Sequence, residues 1–210
     1  MGESIKRIVG PYQDSYSPNG IIGEKDACGV GFIANVKGIE SNWILKQSLK
    51  GLNCMEHRGG CGGDSDSGDG AGILCSIPWK YFDEEMNFQN NQDFARGLGM
   101  VFMPNKKEKI EECKSICEEE AKKLRVNKTY WRKVPVNNEI LGPLAKTNAP
   151  FISQWFLYID KRDNQDIERL LFQLRKRIEK KIRETFKNHF GDCEFYFASL
   201  SSQTVVYKGM

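Results

Sequence analysis

Asp26-Ala27-Cys28-Gly29-Val30-Gly31-Phe32 runs into Ile33-Ala34-Asn35-Val36, and this stretch decides how the other residues of the 210-residue sequence are read. Cys28, Val30, Phe32, Ala34 and Val36 fall on one side of an alternating pattern, with Gly29, Gly31, Ile33 and Asn35 on the other. A period of two predicts a strand over 28–36, and its two glycines let another backbone or a ligand come close. A cysteine that opens such a strand acquires a base of its own if the preceding segment is removed. Its thiol, with a pKa of about 8.5, would then sit beside an α-amine with a pKa of about 8. Taken alone, a buried structural cysteine is the commoner use of such a residue.

Upstream, residues 1–27 carry Gly10-Pro11, Ser17-Pro18-Asn19-Gly20 and Gly23 without a sustained period, which reads as an extended leader. They lack the apolar core of a secretory signal and contain Glu3, Asp14, Glu24 and Asp26. Downstream, Ser41 can cap a helix running to about Glu56 with Leu45, Leu49 and Leu52 on one stripe, ended by Gly59-Gly60. Gly62-Gly63-Asp64-Ser65-Asp66-Ser67-Gly68-Asp69-Gly70 follows, a polar loop unsuited to a core. Ala71–Ile77 then reads as a short buried strand stopped by Pro78.

Arg96–Met103, residues 126–136 and Phe151–Ile159 are further strand candidates. Lys106–Leu124 is the clearest amphipathic helix, with Ile110, Cys113, Cys117, Ala121 and Leu124 on one face. A second long helix spans about Asn164 to Phe186, with Ile167, Leu170, Leu171, Leu174, Ile178 and Ile182 inward. The ten basic against five acidic residues between Lys161 and Lys187 read as a solvated helix face. Glu194–Leu200 and Thr204–Lys208 close the chain as two strands joined by Ser201-Ser202-Gln203. Strands separated by two long helices predict a layered α+β or α/β domain without internal repeats.

Hydrophobic content of 40% and charged content of 28% fall in the soluble globular range. A formal charge of +3 is too small to argue for nucleic acid or an anionic membrane. No run approaches the ~18 apolar residues that a membrane span needs. A cytoplasmic location is expected, with a plastid stroma as the alternative. Seven cysteines (28, 54, 61, 75, 113, 117 and 193) without an export signal point to reduced thiols. There is no C-x-x-C, and no metal-ligand spacing links Cys54, Cys61, Cys75 and the two histidines. Cys113 and Cys117, four apart in a helical pattern, read as core filling.

Three motifs in order, Asp26–Phe32, Cys54-Met55-Glu56-His57-Arg58-Gly59-Gly60 and Gly68-Asp69-Gly70-Ala71-Gly72-Ile73, resemble the start of the large subunit of glutamate synthase. Within that family the ferredoxin-dependent, cyanobacterial or plastid type is the most similar. Trp131-Arg132-Lys133-Val134-Pro135-Val136, Leu141-Gly142 and Ser199–Met210 match later stretches, so the resemblance covers about residues 11–210.

The resemblance implies an N-terminal-nucleophile hydrolase fold of α+β class, a four-layer αββα sandwich of which this chain carries the first half. It implies a propeptide-like leader over 1–27 and the N-terminal part of a type-2 glutamine amidotransferase domain over 28–210. Cys28 would attack the side-chain amide of glutamine and release ammonia for glutamate synthesis from 2-oxoglutarate. Arg58 and Gly29 would organise the nucleophile's surroundings, while Asp69 and Gly70 would belong to a loop beside it. His57 reads as structural, because the base in this mechanism is the α-amine.

FMN and an iron–sulphur cluster would belong to the remaining domains of the complete enzyme, which would take electrons from ferredoxin; none is expected in this chain. The family's substrate-carboxylate arginine, oxyanion Asn-Gly pair and amine-binding aspartate lie downstream of the Tyr207-Lys208-Gly209-Met210 run. Losing even one oxyanion donor typically costs about 10²–10³ in rate, so the isolated chain is expected to be inactive. It would need the remainder of glutamate synthase or a complementing chain. The alternative is a non-catalytic binding or regulatory module.

Overall fold

The computed structural model describes residues 29–55, 64, 67–68, 70–87, 94–160, 164–186 and 195–209. In chain order the elements are α1 (Asn42–Cys54), β1 (Ala71–Ser76), α2 (Trp79–Met86), β2 (Phe94–Met103) and α3 (Lys107–Lys123). They continue with β3 (Lys128–Lys133), a 3-10 turn (Asn138–Ile140), α4 (Pro143–Thr147), β4 (Phe151–Asp160), α5 (Asn164–Thr185), β5 (Tyr196–Ser201) and β6 (Thr204–Gly209). The chain is therefore α+β, with one antiparallel sheet in the order β3-β4-β2-β5 and a second made of β1 and β6.

Strand β2 pairs with β4 from Phe94↔Asp160 to Met103↔Phe151 and buries both faces. Its period of two sends Val101 and Met103 toward α3 and α5, and Leu98, Met100 and Phe102 toward β6 and α2. Strand β4 divides in the same way, with Trp155, Leu157 and Ile159 on the helical side and Phe156 on the other. Each fully buried side chain of this size contributes about 1.5–3 kcal/mol, so the two strands anchor two cores at once. Gly97 faces the helices, and a Cβ there would lie 3.0 Å from Leu171 Cδ2. The missing side chain is what lets α5 lie close on the sheet.

Strand β5 carries a bulge where the register steps from Met100↔Ser199 to Val101↔Phe197. One extra residue inverts the alternation, so Phe197 and Leu200 reach the same core although their numbers differ in parity. The chain then turns a corner at Ser202-Gln203 and enters the other sheet as β6. Glu168 of α5 holds that corner, its Oε1 accepting from Ser201 Oγ (3.1 Å), Ser202 N (2.7 Å) and Ser202 Oγ (2.7 Å).

Helices α3 and α5 cover the sheet with the faces that periodicity predicts. Ile110, Cys113, Cys117 and Ala121 are buried beside Ile167, Leu171, Leu174, Ile178 and Ile182. Glu120 is also buried on α3, and Arg177 Nε of α5 donates to its Oε2 at 2.7 Å while Lys123 bonds its other oxygen. Part of the basic face of α5 is thus spent on pairing, since Arg175 and Lys176 also reach Glu179. Helix α3 ends with Arg125 at φ 58°, its N–H bonding Lys122 O while Val126 N bonds Ala121 O. This is a six-to-one closure that usually employs glycine.

Three expectations are corrected, the first being that β1 is not a buried strand: its residues are exposed or half-buried, with Leu74 64% exposed. Residues 29–36, the described part of the expected strand over 28–36, form no strand, and Val30 and Phe32 are 95% and 94% exposed. Alternation marks a segment that can pair, but a strand exists only when its N–H and C=O groups find a ladder. Asn35 instead starts a turn, its Oδ1 accepting from Lys37 N and its carbonyl from Gly38 N. The loop after α1 is also less solvent-bound than its composition suggests, because Ser67 is buried. Helix α2 has no counterpart in the sequence reading. It is eight residues long with Pro78 ahead of it, and tertiary contacts hold it: Phe82 in the core, Asp83 paired with Arg96, and Glu85 with Arg132.

Two outcomes test this packing. Gly97→Val is expected to lower stability by about 1–3 kcal/mol by pushing α5 off the sheet, read as a fall in thermal midpoint; an unchanged midpoint would contradict the close approach. For Glu120, burial works against ionisation, yet hydrogen bonds from Lys123 and Arg177 hold its carboxyl below the ordinary value. Its contribution is therefore present above the unfolded carboxyl value of about 4.3 and is lost as pH falls through the lower folded value. Glu120→Gln should be less stable than the parent at pH 7, with the gap closing in acid titrations. A gap independent of pH would mean that the charge is irrelevant.

Candidate functional site

Of the residues singled out from the sequence, Cys28, Arg58 and Asp69, with His57, lie outside the described residues. Gly29 and Gly70 are described, and they mark where the flanking segments run. Gly29 packs on the end of α1, where a Cβ would come within 2.8 Å of Met55 Sδ. The residue after Cys28 thus touches a residue two before His57. Ser41 sets the start of α1 by accepting from Ile44 N at 3.3 Å, as its residue type predicts. Gly70 has φ 85°, a left-handed conformation that favours glycine, and it delivers the chain into β1 opposite Gly209.

Helix α1 packs against β1, and between them opens an apolar cleft of about 310 Å³. Leu49 and Leu52 of α1, Ala71–Ile73 of β1, Val134–Val136 and Tyr207 line it. A polar chain runs beneath. Arg132 NH1 donates to Gln154 Oε1 at 2.8 Å, and Gln154 Nε2 reaches Tyr207 Oη at 3.1 Å. Gln154 is buried, and Arg132 also bonds Glu85, so strands β3, β4 and β6 and helix α2 share one network. Burial raises the Tyr207 hydroxyl above its ordinary pKa.

The glycine-acid loop is tied down at two described points. Asp64 Oδ2 accepts from Leu144 N at 3.0 Å, and Ser67 Oγ accepts from Ala145 N at 3.3 Å. These are the first two N–H groups of α4 after Pro143, which has none. Asp64, Ser67, Gln154 and Tyr207 were missed in the sequence. A cap supplied from about eighty residues away leaves no local spacing to detect, although Gly142-Pro143 does mark a helix start.

Two of the described cysteines, Cys75 and Cys117, are held in the thiol form by burial. Burial raises the Cys75 thiol, with Glu40 adding to the shift, and burial pushes Cys117 well above its ordinary value, with Cys113 and Glu118 adding. No group of three or more ligating side chains converges among the described residues. No helix among them is long and apolar enough to cross a membrane.

The family of class-II glutamine amidotransferases matches residues 28–210, beginning at Cys28. The chain belongs to this family. Among similar proteins, ferredoxin-dependent glutamate synthase 1, chloroplastic/mitochondrial, of Arabidopsis thaliana is 44% identical over 194 residues, 90% of this chain and 12% of its own length. The chloroplastic ferredoxin-dependent glutamate synthase of Oryza sativa subsp. japonica is 44% identical over 204 residues, 95% of this chain and 12% of that protein. The ferredoxin-dependent glutamate synthase of Pyropia yezoensis is 41% identical over 213 residues, all of this chain and 14% of that protein. This class-II amidotransferase chain therefore spans about an eighth of the length of the curated relatives it matches.

Thiol labelling distinguishes packing from chemistry in the four described cysteines. Cys54 is exposed, whereas Cys113 and Cys117 are fully buried. In the native chain Cys54 should label readily with a maleimide while Cys113 and Cys117 label only after unfolding, as peptide mapping would show. Rapid native labelling of Cys117 would assign that pair a role beyond core filling.

Proposed function

We propose that this chain is the glutaminase portion of a glutamate synthase, with Cys28 as its nucleophile. The observation that carries the reading is the family match beginning at Cys28, together with 41–44% identity to ferredoxin-dependent glutamate synthases. The described geometry supports it to the extent that Gly29, next to Cys28 in sequence, lies against Met55, three residues before Arg58.

Removal of residues 1–27 makes Cys28 the chain terminus. Its thiol passes a proton to the α-amine and attacks the side-chain carbonyl carbon of glutamine. The tetrahedral intermediate collapses by breaking the C–N bond, and the amine returns the proton to the leaving nitrogen as ammonia. Water then attacks the γ-glutamyl thioester and restores the thiol with glutamate as product, so glutamine and water give glutamate and ammonia. Arg58 and Gly29 shape the nucleophile's surroundings, and Asp69 and Gly70 belong to the adjoining loop. The released ammonia serves the domains of the complete enzyme, where FMN, an iron–sulphur cluster and ferredoxin act. The four-layer αββα arrangement belongs to this proposal too, the two described sheets being its inner layers.

A second reading, a non-catalytic module or split subunit, is favoured by the exposed apolar residues Val30, Phe32, Val36 and Leu74. Three measurements separate the readings. Intact mass shows whether Met1–Ala27 is removed in the native protein. A diazoketone analogue of glutamine should add covalently to Cys28 and not to Cys28→Ser. Glutamine hydrolysis, by the chain alone or with a complementing chain, should fall to background in Cys28→Ser. Equal rates above background in Cys28→Ser and the parent would overturn the catalytic assignment, and labelling elsewhere would move it.

A further inference from the structure

Helix α4 begins at Pro143 with Gly142 as its N-cap, and neither residue carries a side chain able to accept from the first turn. The early N–H groups of a helix need acceptors from elsewhere when no local cap exists. Here both acceptors come from the loop that leads to β1. Asp64 takes Leu144 N and Ser67 takes Ala145 N, while the other carboxylate oxygen of Asp64 accepts from Ser67 N. One carboxylate therefore spans the loop and the helix, and the hydroxyl beside it closes a second link. Ser67 and Ala145 are both buried, so water competes weakly for that second bond. Three residues after Ser67 the chain passes through the left-handed Gly70 and enters β1, whose first residues line the apolar cleft.

We propose that Asp64 and Ser67 are positioning residues, a side-chain latch that uses the unsatisfied start of α4 to fix the loop leading to Gly70 and the cleft edge of β1. The inference rests on the glutaminase reading, in which the loop of Asp69 and Gly70 adjoins Cys28. Its physical content is that the loop and α4 move as one unit.

The test uses the 210-residue chain with Asp64→Ala, Ser67→Ala and Ser67→Thr. Amide hydrogen exchange at Leu144 and Ala145 should rise roughly 3- to 30-fold in the two alanine variants, the range that loss of a capping acceptor gives. Exchange at Gly70, Ala71 and Gly72 should rise with it, and Ser67→Thr should stay near the parent. For glutamine hydrolysis, kcat should fall about tenfold or more with KM changed less than threefold, and threonine should restore it.

Unchanged exchange at Leu144 and Ala145 overturns the latch. Faster exchange there, with Gly70–Gly72 exchange and kcat both untouched, overturns the positioning role and leaves only a helix cap. Should Asp64→Ala not fold, Ser67→Ala carries the test, because it leaves the carboxylate in place. If the parent chain hydrolyses no glutamine, alone or complemented, the glutaminase reading fails, and the latch is decided by exchange at Gly70–Gly72.

Discussion

The pairing of β2 with β4 is the constraint on which the remaining structure depends. These two strands are in contact along ten residues each, and both are covered on both sides. A one-residue slip would exchange the two faces, moving Val101 and Met103 out of the helical core and Phe102 into it. Both strands supply fully buried side chains to both cores. Helices α3 and α5 have a floor only because Trp155, Leu157 and Ile159 present one face, and β6 and α2 pack only because Leu98, Met100 and Phe156 present the other.

Polar groups inside this frame are confined to places where a partner meets them. Glu168 collects three donors at the β5–β6 corner, Glu120 is held between Arg177 and Lys123, and Gln154 connects Arg132 to Tyr207. A buried polar group left unpaired costs about 1–3 kcal/mol, which is why these side chains determine relative placement as well as satisfying one another. Trp155 Nε1 departs from this pattern among the described residues, buried without a hydrogen-bond partner. Its ring is stacked on Trp131 at 5.2 Å, so the packing of the indole outweighs its one unpaired donor.

The described cleft between α1 and β1 lies on the opposite side of the sheet from the large helical core. The described parts of the candidate site are connectors more than reactive groups: Gly29 against Met55, Gly70 turning into β1, and Asp64 and Ser67 on α4. The apolar cleft between α1 and β1 adds shape and little charge. Family membership and this geometry answer different questions. The match from Cys28 onward places the chain in its family, whereas the hydrogen bonds show Asp64 and Ser67 joined to the start of α4.

Most regular elements were legible from local pattern. The helices at 42–54, 107–123 and 164–185 follow from a 3.6 period, and β2 and β4 follow from apolar runs ended by Pro104 and by the polar residues after Ile159. Cys28 was legible as a candidate because its type, position and flanking glycines are all local facts. The expected strand at 28–36 shows the limit, since alternation records a capacity to pair and the described residues take no partner. Helix α2, the bulge in β5 and the latch of Asp64 and Ser67 were beyond reach for a related reason. Each depends on residues more than a dozen positions apart: Asp83 with Arg96, Met100 with Ser199, Asp64 with Leu144. By itself the sequence determined which segments would be helical, which faces would be apolar and which cysteine to suspect, because those properties reside in neighbouring residues. Only the tertiary structure decided which strand edges met and which distant side chains capped a helix, because those choices rest on burial and hydrogen-bond satisfaction across the whole chain.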